Sequence, residues 1–129
     1  MNAYFRNLEK IEFVVTMACT GKCRHCSEGD HDGFSGHIDA DIAAEAVRKI
    51  AAHYKIRTVM TFGGEPLLYP DVVCTIQRTA YDLGIAKRQV ITNGYFSREP
   101  EKIRSVAADL KDSGVNDLLL SVDAFHKNL

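Results

Sequence analysis

RTVMTFGGEPLLYPDVVCTIQRTAYDLG, residues 57–84, contains a change of period that decides the fold. Arg57 to Phe62 is short, β-branched and apolar, which predicts a buried strand. A glycine pair and two prolines follow, and then the pattern becomes helical. From Asp71 to Gly84, residues Val72, Val73, Ile76, Ala80 and Leu83 recur on one face. Asp71 is the expected N-cap and Gly84 the expected stop. One strand, one turn and one helix make the repeating unit of a parallel α/β fold.

The same unit is legible on both sides. Ile11 to Val15 reads as a strand, and Asp39 to Tyr54 as a helix capped by Asp39, with Ile42, Ala43, Ala46, Val47 and Ile50 inward. Arg88 to Thr92 is a third strand. Ser97 to Gly114 is a third helix, with Pro100 in its first turn and Ile103, Val106, Ala107 and Leu110 facing the core. Asp117 to Asp123 is a fourth strand. The later strands recur about every thirty residues, as βαβ units do. The expected class is therefore α/β: parallel βαβ repeats under a layer of helices. Four such strands cannot close a barrel, so the sheet is either a minimal open one or, as we expect, the first part of a longer, truncated domain. The outer edge of the fourth strand, apolar and unpaired, is an expected surface for association.

Bulk properties exclude several classes. With 17 acidic against 16 basic residues the formal net charge is −1, so no nucleic-acid partner is expected. The N-terminus lacks the basic-then-apolar pattern of a secretory signal. No apolar run approaches the roughly 18 residues of a membrane span, so no membrane partner is expected either. A cytoplasmic location follows as the expectation, and in a reducing compartment clustered cysteines bind metal or do redox chemistry.

Such a cluster exists. ACTGKCRHCS, residues 18–27, holds Cys19, Cys23 and Cys26 in C-x3-C-x2-C spacing. It lies in a long polar segment, about residues 16–38, that begins at the C-terminal end of the first strand. That end of a parallel sheet is where sites are built. Structural zinc wants four closed ligands; His31 or His37 could complete such a set, so zinc stays open. The other reading is an iron–sulfur cluster on three thiolates with one iron position open to a ligand.

Three further elements stand at strand ends. GGEP (Gly63 to Pro66) follows the second strand, ITNG (Ile91 to Gly94) ends the third, and SVDAFH (Ser121 to His126) ends the fourth. Two glycines remove side chains where backbone must approach a ligand. Ser121 and Asp123, two apart, point to one face. Each element taken singly also reads blandly, as a turn or a cap.

In this order and spacing, CTGKCRHC, GGEP, ITNG and SVDAFH resemble the radical S-adenosylmethionine (SAM) enzymes, over about Ile11 to His126. The resemblance implies that residues 1–129 are an incomplete core domain, the first four strands of a partial TIM-type barrel. It implies an oxygen-sensitive four-iron–four-sulfur (4Fe–4S) cluster on Cys19, Cys23 and Cys26, with SAM held by His25, Gly63, Gly64, Glu65, Asn93, Ser121 and Asp123. Glu65 is suited to an ammonium through charge-assisted hydrogen bonds. The implied reaction is reductive cleavage of SAM to a 5′-deoxyadenosyl radical that abstracts hydrogen from a peptide, a protein or a cofactor precursor. The implied partner is a one-electron donor such as flavodoxin or ferredoxin. The alternative is a truncated, non-catalytic iron–sulfur or zinc module. Cys74 reads as a packing residue, and Asp30, His31, Asp32 and His37 as a solvated loop. Tyr69, Tyr95 and Phe96 would line the pocket or pack locally.

Overall fold

The computed structural model describes residues 8–17, 36–94 and 96–121. Its elements run β1 (Lys10–Val14), α1 (Ala40–His53), β2 (Thr58–Phe62), a 3₁₀ turn (Pro66–Leu68), α2 (Pro70–Asp82), β3 (Lys87–Thr92), α3 (Pro100–Asp112) and β4 (Asp117–Leu120). All strand pairs are parallel, in the order β1-β2-β3-β4. Strand order follows chain order without reversal. That is the winding of a barrel wall; a doubly wound sheet reverses at a switch point. α1 packs on α2 and α2 on α3, which puts the three helices on one face of the sheet.

The core lies between that face and the helices. Ile11 and Val15, Val59, and Val90 come from successive strands; Val47, Val73, Ile76, Val106 and Leu110 meet them from the helices. Each such side chain gains roughly 1.5–3 kcal/mol by leaving water. The register sets the other face. Glu12, Met60, Gln89 and Asp117 are successive partners across the sheet. Gln89 Nε2 donates to Asp117 Oδ2 at 2.8 Å, and Lys87 Nζ lies 3.3 Å from the same oxygen. One layer nearer the C-terminal end stand Val14, Phe62, Ile91 and Leu119.

Inside the core one polar bridge ties α2 to the sheet. Gln77, fully buried, donates from Nε2 to Gln89 O at 2.9 Å and Thr61 Oγ1 at 3.1 Å. Its Oε1 has no hydrogen-bond partner.

The helix ends and faces refine the expectations. Asp39 caps α1 as predicted, accepting from the N–H groups of Asp41 and Ile42. Asp71 does not cap α2; Tyr69 occupies the cap position and Pro70 is the first helical residue. Proline suits that place because its missing N–H would be unpaired there and its φ is already helical. Asp71 then falls in the first turn, where its charge favours the helix dipole. α3 starts at Pro100 rather than Ser97, whose Oγ accepts from Glu99 N in the preceding turn. Ile42 (71% exposed), Leu83, Ile103 and Ala107 do not face the core. Ala44 joins the expected Ala43 as a buried residue of the first α1 turns. α3 packs mainly on α2, and Val106 and Leu110 are its buried residues. β4 is the outer strand, and Leu118, Leu119 and Leu120 are 54%, 50% and 56% exposed, as the apolar edge in the sequence led one to expect.

Candidate functional site

The C-terminal ends of the four strands form one rim. After β1, Val15 N donates to Phe62 O at 2.8 Å, so the chain stays in the sheet for one more step. The segment that leaves at Met17 returns at Gly36, and the two ends are joined. Ile38 N donates to Val15 O at 2.9 Å, and Thr16 Oγ1 donates to Gly36 O. Gly36 N donates to Tyr69 Oη at 2.9 Å, and the His37 and Tyr69 rings lie 4.6 Å apart. Tyr69, left between two roles by the sequence, thus links the returning segment to the turn after β2. An open cleft of about 200 Å³ runs between residues 14–17 and 36–38. It is smaller than the ~300 Å³ of an ordinary small-molecule pocket, so it is at most part of one.

The turn after β2 needs its first glycine twice over. Gly63 has φ +88°, and a Cβ there would lie 2.4 Å from Val14 Cγ1 and 3.1 Å from Val14 Cα. Only glycine lets β1 and this turn approach so closely. Gly64 also has positive φ. The chain then buries Glu65 completely. Glu65 Oε2 accepts from Leu67 N at 2.9 Å, and Oε1 accepts from Asn93 N at 2.7 Å. The Thr92 hydroxyl reaches both oxygens, at 2.8 and 2.7 Å. Thr92 Oγ1 in turn accepts from Gly94 N at 3.0 Å. Burial pushes the Glu65 carboxyl above the ordinary carboxylate range, against the lowering effect of Asn93, Thr92 and Leu67.

The structure therefore brings Gly63, Gly64, Glu65 and Asn93 together, with Asn93 buried at the end of β3. Ser121 is exposed and joins through its backbone, donating from N to Thr92 O at 2.8 Å. Cys19, Cys23, His25, Cys26 and Asp123 lie outside the described residues. Among the described residues no group of three or more His, Cys, Asp or Glu is placed to hold a metal ion. Cys74 is half-buried against the core, and burial pushes its thiol up, which fits a packing role and not a reactive thiolate. Thr92 is a rim residue to which sequence reasoning assigned no role of its own. The available signal for Thr92 was a polar residue ending an apolar strand just before Asn-Gly.

No helix among the described residues is long and apolar enough to cross a membrane. The sequence matches the Radical SAM superfamily over residues 13–129. It is 34% identical over 122 residues to a probable GTP 3′,8-cyclase of Sulfolobus acidocaldarius, covering 94% of this chain and 36% of that protein. To the GTP 3′,8-cyclase of Moorella thermoacetica it is 27% identical over 131 residues, covering 98% of this chain and 38% of that one. The chain thus spans under two fifths of these curated relatives. Among solved structures, Streptococcus suis SuiB bound to its precursor peptide SuiA matches with a TM-score of 0.64 at 22% identity, over 88% of this chain and 24% of SuiB. That likeness is one of fold. With four parallel strands wound in order and a family match over most of its length, the chain belongs to the Radical SAM superfamily.

Proposed function

We propose that this chain carries the cluster-binding and SAM-binding part of an enzyme that cleaves SAM reductively. The observation that supports it most is the rim. The turn at Gly63–Glu65, the Thr92–Asn93 end of β3, Ser121, and both ends of the cysteine segment share one edge of the sheet.

The residues fit the two groups on chemical grounds. Cys19, Cys23 and Cys26 offer three soft thiolates, the donors iron–sulfur clusters take, and leave the cluster one ligand short of the usual four. Gly63 lets the turn close onto Val14, and Gly64, half-buried beside the rim, leaves backbone uncovered by a side chain, which suits the close approach of an amino-acid moiety. In this reading Gly63, Gly64, Asn93, Ser121, Asp123 and His25 bind SAM, together with Glu65 as part of the turn that holds its amino-acid end. When bound, cluster and SAM supply one-electron cleavage of the sulfonium to methionine and a 5′-deoxyadenosyl radical, which takes hydrogen from the substrate. The protein's share is to bind, orient and exclude side reactions, in the cytoplasm and with a flavodoxin- or ferredoxin-type electron donor. Of the two substrate classes, the relatives named as GTP cyclases favour a nucleotide-derived cofactor precursor. The peptide class has only a fold likeness behind it.

The test is anaerobic. The chain is reconstituted with iron and sulfide, reduced with dithionite, and given SAM, with and without GTP. Methionine and 5′-deoxyadenosine are expected, and Cys23→Ala should abolish both. Full zinc occupancy without an iron chromophore would refute the reading. Stimulation by GTP would support the nucleotide class, and its absence would count against it.

A further inference from the structure

Among the described residues Glu65 is the one carboxylate buried at the rim, and both of its oxygens are already hydrogen-bonded. A carboxylate has about four lone-pair directions. Here Leu67 N and Asn93 N take one on each oxygen, and the Thr92 hydroxyl lies across both. With none of its surface exposed, Glu65 offers an incoming ammonium no free oxygen. To bind one directly it would have to give up a partner in a dry site, which is costly.

Thr92 is the centre of this arrangement. Its single hydroxyl proton is shared between the Glu65 oxygens, and its oxygen accepts from Gly94 N. One side chain thereby joins the turn after β2 to the turn after β3, and it sets the backbone of Asn93 between them. The contact is buried and reaches both carboxyl oxygens, so it fixes the orientation of the Glu65 side chain.

We propose that Thr92, acting through Glu65, is a positioning residue for the SAM site. It keeps the Glu65 carboxylate turned into the fold, so that the 63–65 turn presents backbone to the amino-acid end of SAM and Asn93 is held at the rim. The proposal rests on the SAM-binding reading above.

The two roles for Glu65 give opposite signs. If Glu65 gripped the ammonium itself, removing the Thr92 hydroxyl would release the carboxylate, and SAM binding would hold or strengthen. If Thr92 positions the rim, binding weakens. The experiment measures the dissociation constant of SAM by anaerobic equilibrium dialysis on reconstituted chain, well below the melting temperature, with iron and sulfide content checked in each sample. Thr92→Val is expected to weaken SAM by about tenfold at unchanged iron content, the scale of one lost bond to a charged group. Thr92→Ser, which keeps the hydroxyl, should bind within about twofold of wild type.

Because Thr92 acts through Glu65, Glu65→Gln should weaken SAM comparably, and the double variant should lose little more than either single one. Should Thr92→Val not fold, Thr92→Ala, which also lacks the hydroxyl, carries the same test: weakened SAM at unchanged iron content sustains the proposal, and wild-type affinity overturns it. Wild-type affinity in Thr92→Val, or additive losses in the double variant, overturns it. A wild-type chain that carries its cluster but does not bind SAM overturns the SAM reading itself, and the proposal with it.

Discussion

Gly63→Ala tests the close approach of β1 to the turn after β2, and the structure supplies both parts of its cost. The first is conformational: φ is +88°, where an L-residue is disfavoured by about 1–2 kcal/mol. The second is steric: the new methyl would lie 2.4 Å from Val14 Cγ1 and 3.1 Å from backbone at Val14 Cα. The Val14 side chain can rotate, but the backbone of a paired strand cannot easily retreat, so overpacking adds about 1–3 kcal/mol. Gly84→Ala is the matched control. Its φ is +75°, and nothing lies within 4 Å of an added Cβ. It should lose only the conformational part, about 1 kcal/mol. Urea unfolding followed by circular dichroism reads both. Gly63→Ala is expected to lose about 2–5 kcal/mol in all, and to exceed Gly84→Ala by at least about 1 kcal/mol. Equal losses in the two variants would refute the steric argument and the packing of this turn against β1.

Three other perturbations follow from named contacts. The folded chain holds the Glu65 proton more tightly than the unfolded chain does, so this group's contribution is fullest below the ordinary carboxylate value of 4.5 and is lost as pH rises through the raised one. The unfolding free energy of wild type minus that of Glu65→Gln should therefore fall with rising pH in urea titrations; a difference that grows with pH would contradict this. Gln77→Leu loses the bonds to Gln89 O and Thr61 Oγ1 but also removes an orphan buried oxygen, so it should cost about 1 kcal/mol or less, whereas Gln77→Ala should cost about 2–4 kcal/mol through the cavity it leaves. Equal costs would show the amide's bonds, not its volume, to be decisive. Leu118→Lys on the exposed outer strand should change stability by no more than about 0.5 kcal/mol while reducing concentration-dependent association in light scattering. Unchanged association would place the sticky surface elsewhere.

The elements that local rules govern were legible in the sequence. Val59, Val90 and Val106 fall on the core face because period-2 and period-3.6 patterns are written in neighbouring residues. Asp39 and Pro100 act where capping rules put them. Asp71 misleads because two start signals, Pro70 and Asp71, are adjacent, and the proline takes the earlier place. Ile42 and Leu83 fit the helical stripe but are exposed, and periodicity cannot say how wide the partner surface is. The rim was legible as motifs and not as contacts. Glu65 to Thr92 is a bond across 27 residues, and nothing local in GGEP or ITNG shows that these two side chains meet. The family match supports the motif reading as a whole. The same long-range pairing gives Glu65 a buried place that its charge alone did not suggest.

The central claim is a cluster on Cys19, Cys23 and Cys26 with a position open to SAM. Electron paramagnetic resonance of the reconstituted, dithionite-reduced chain, recorded before and after SAM, tests it most directly. The account predicts a reduced 4Fe–4S signal whose g-values shift when SAM is added, and loss of that signal in Cys26→Ala. A signal indifferent to saturating SAM, or one that survives Cys26→Ala, would contradict it.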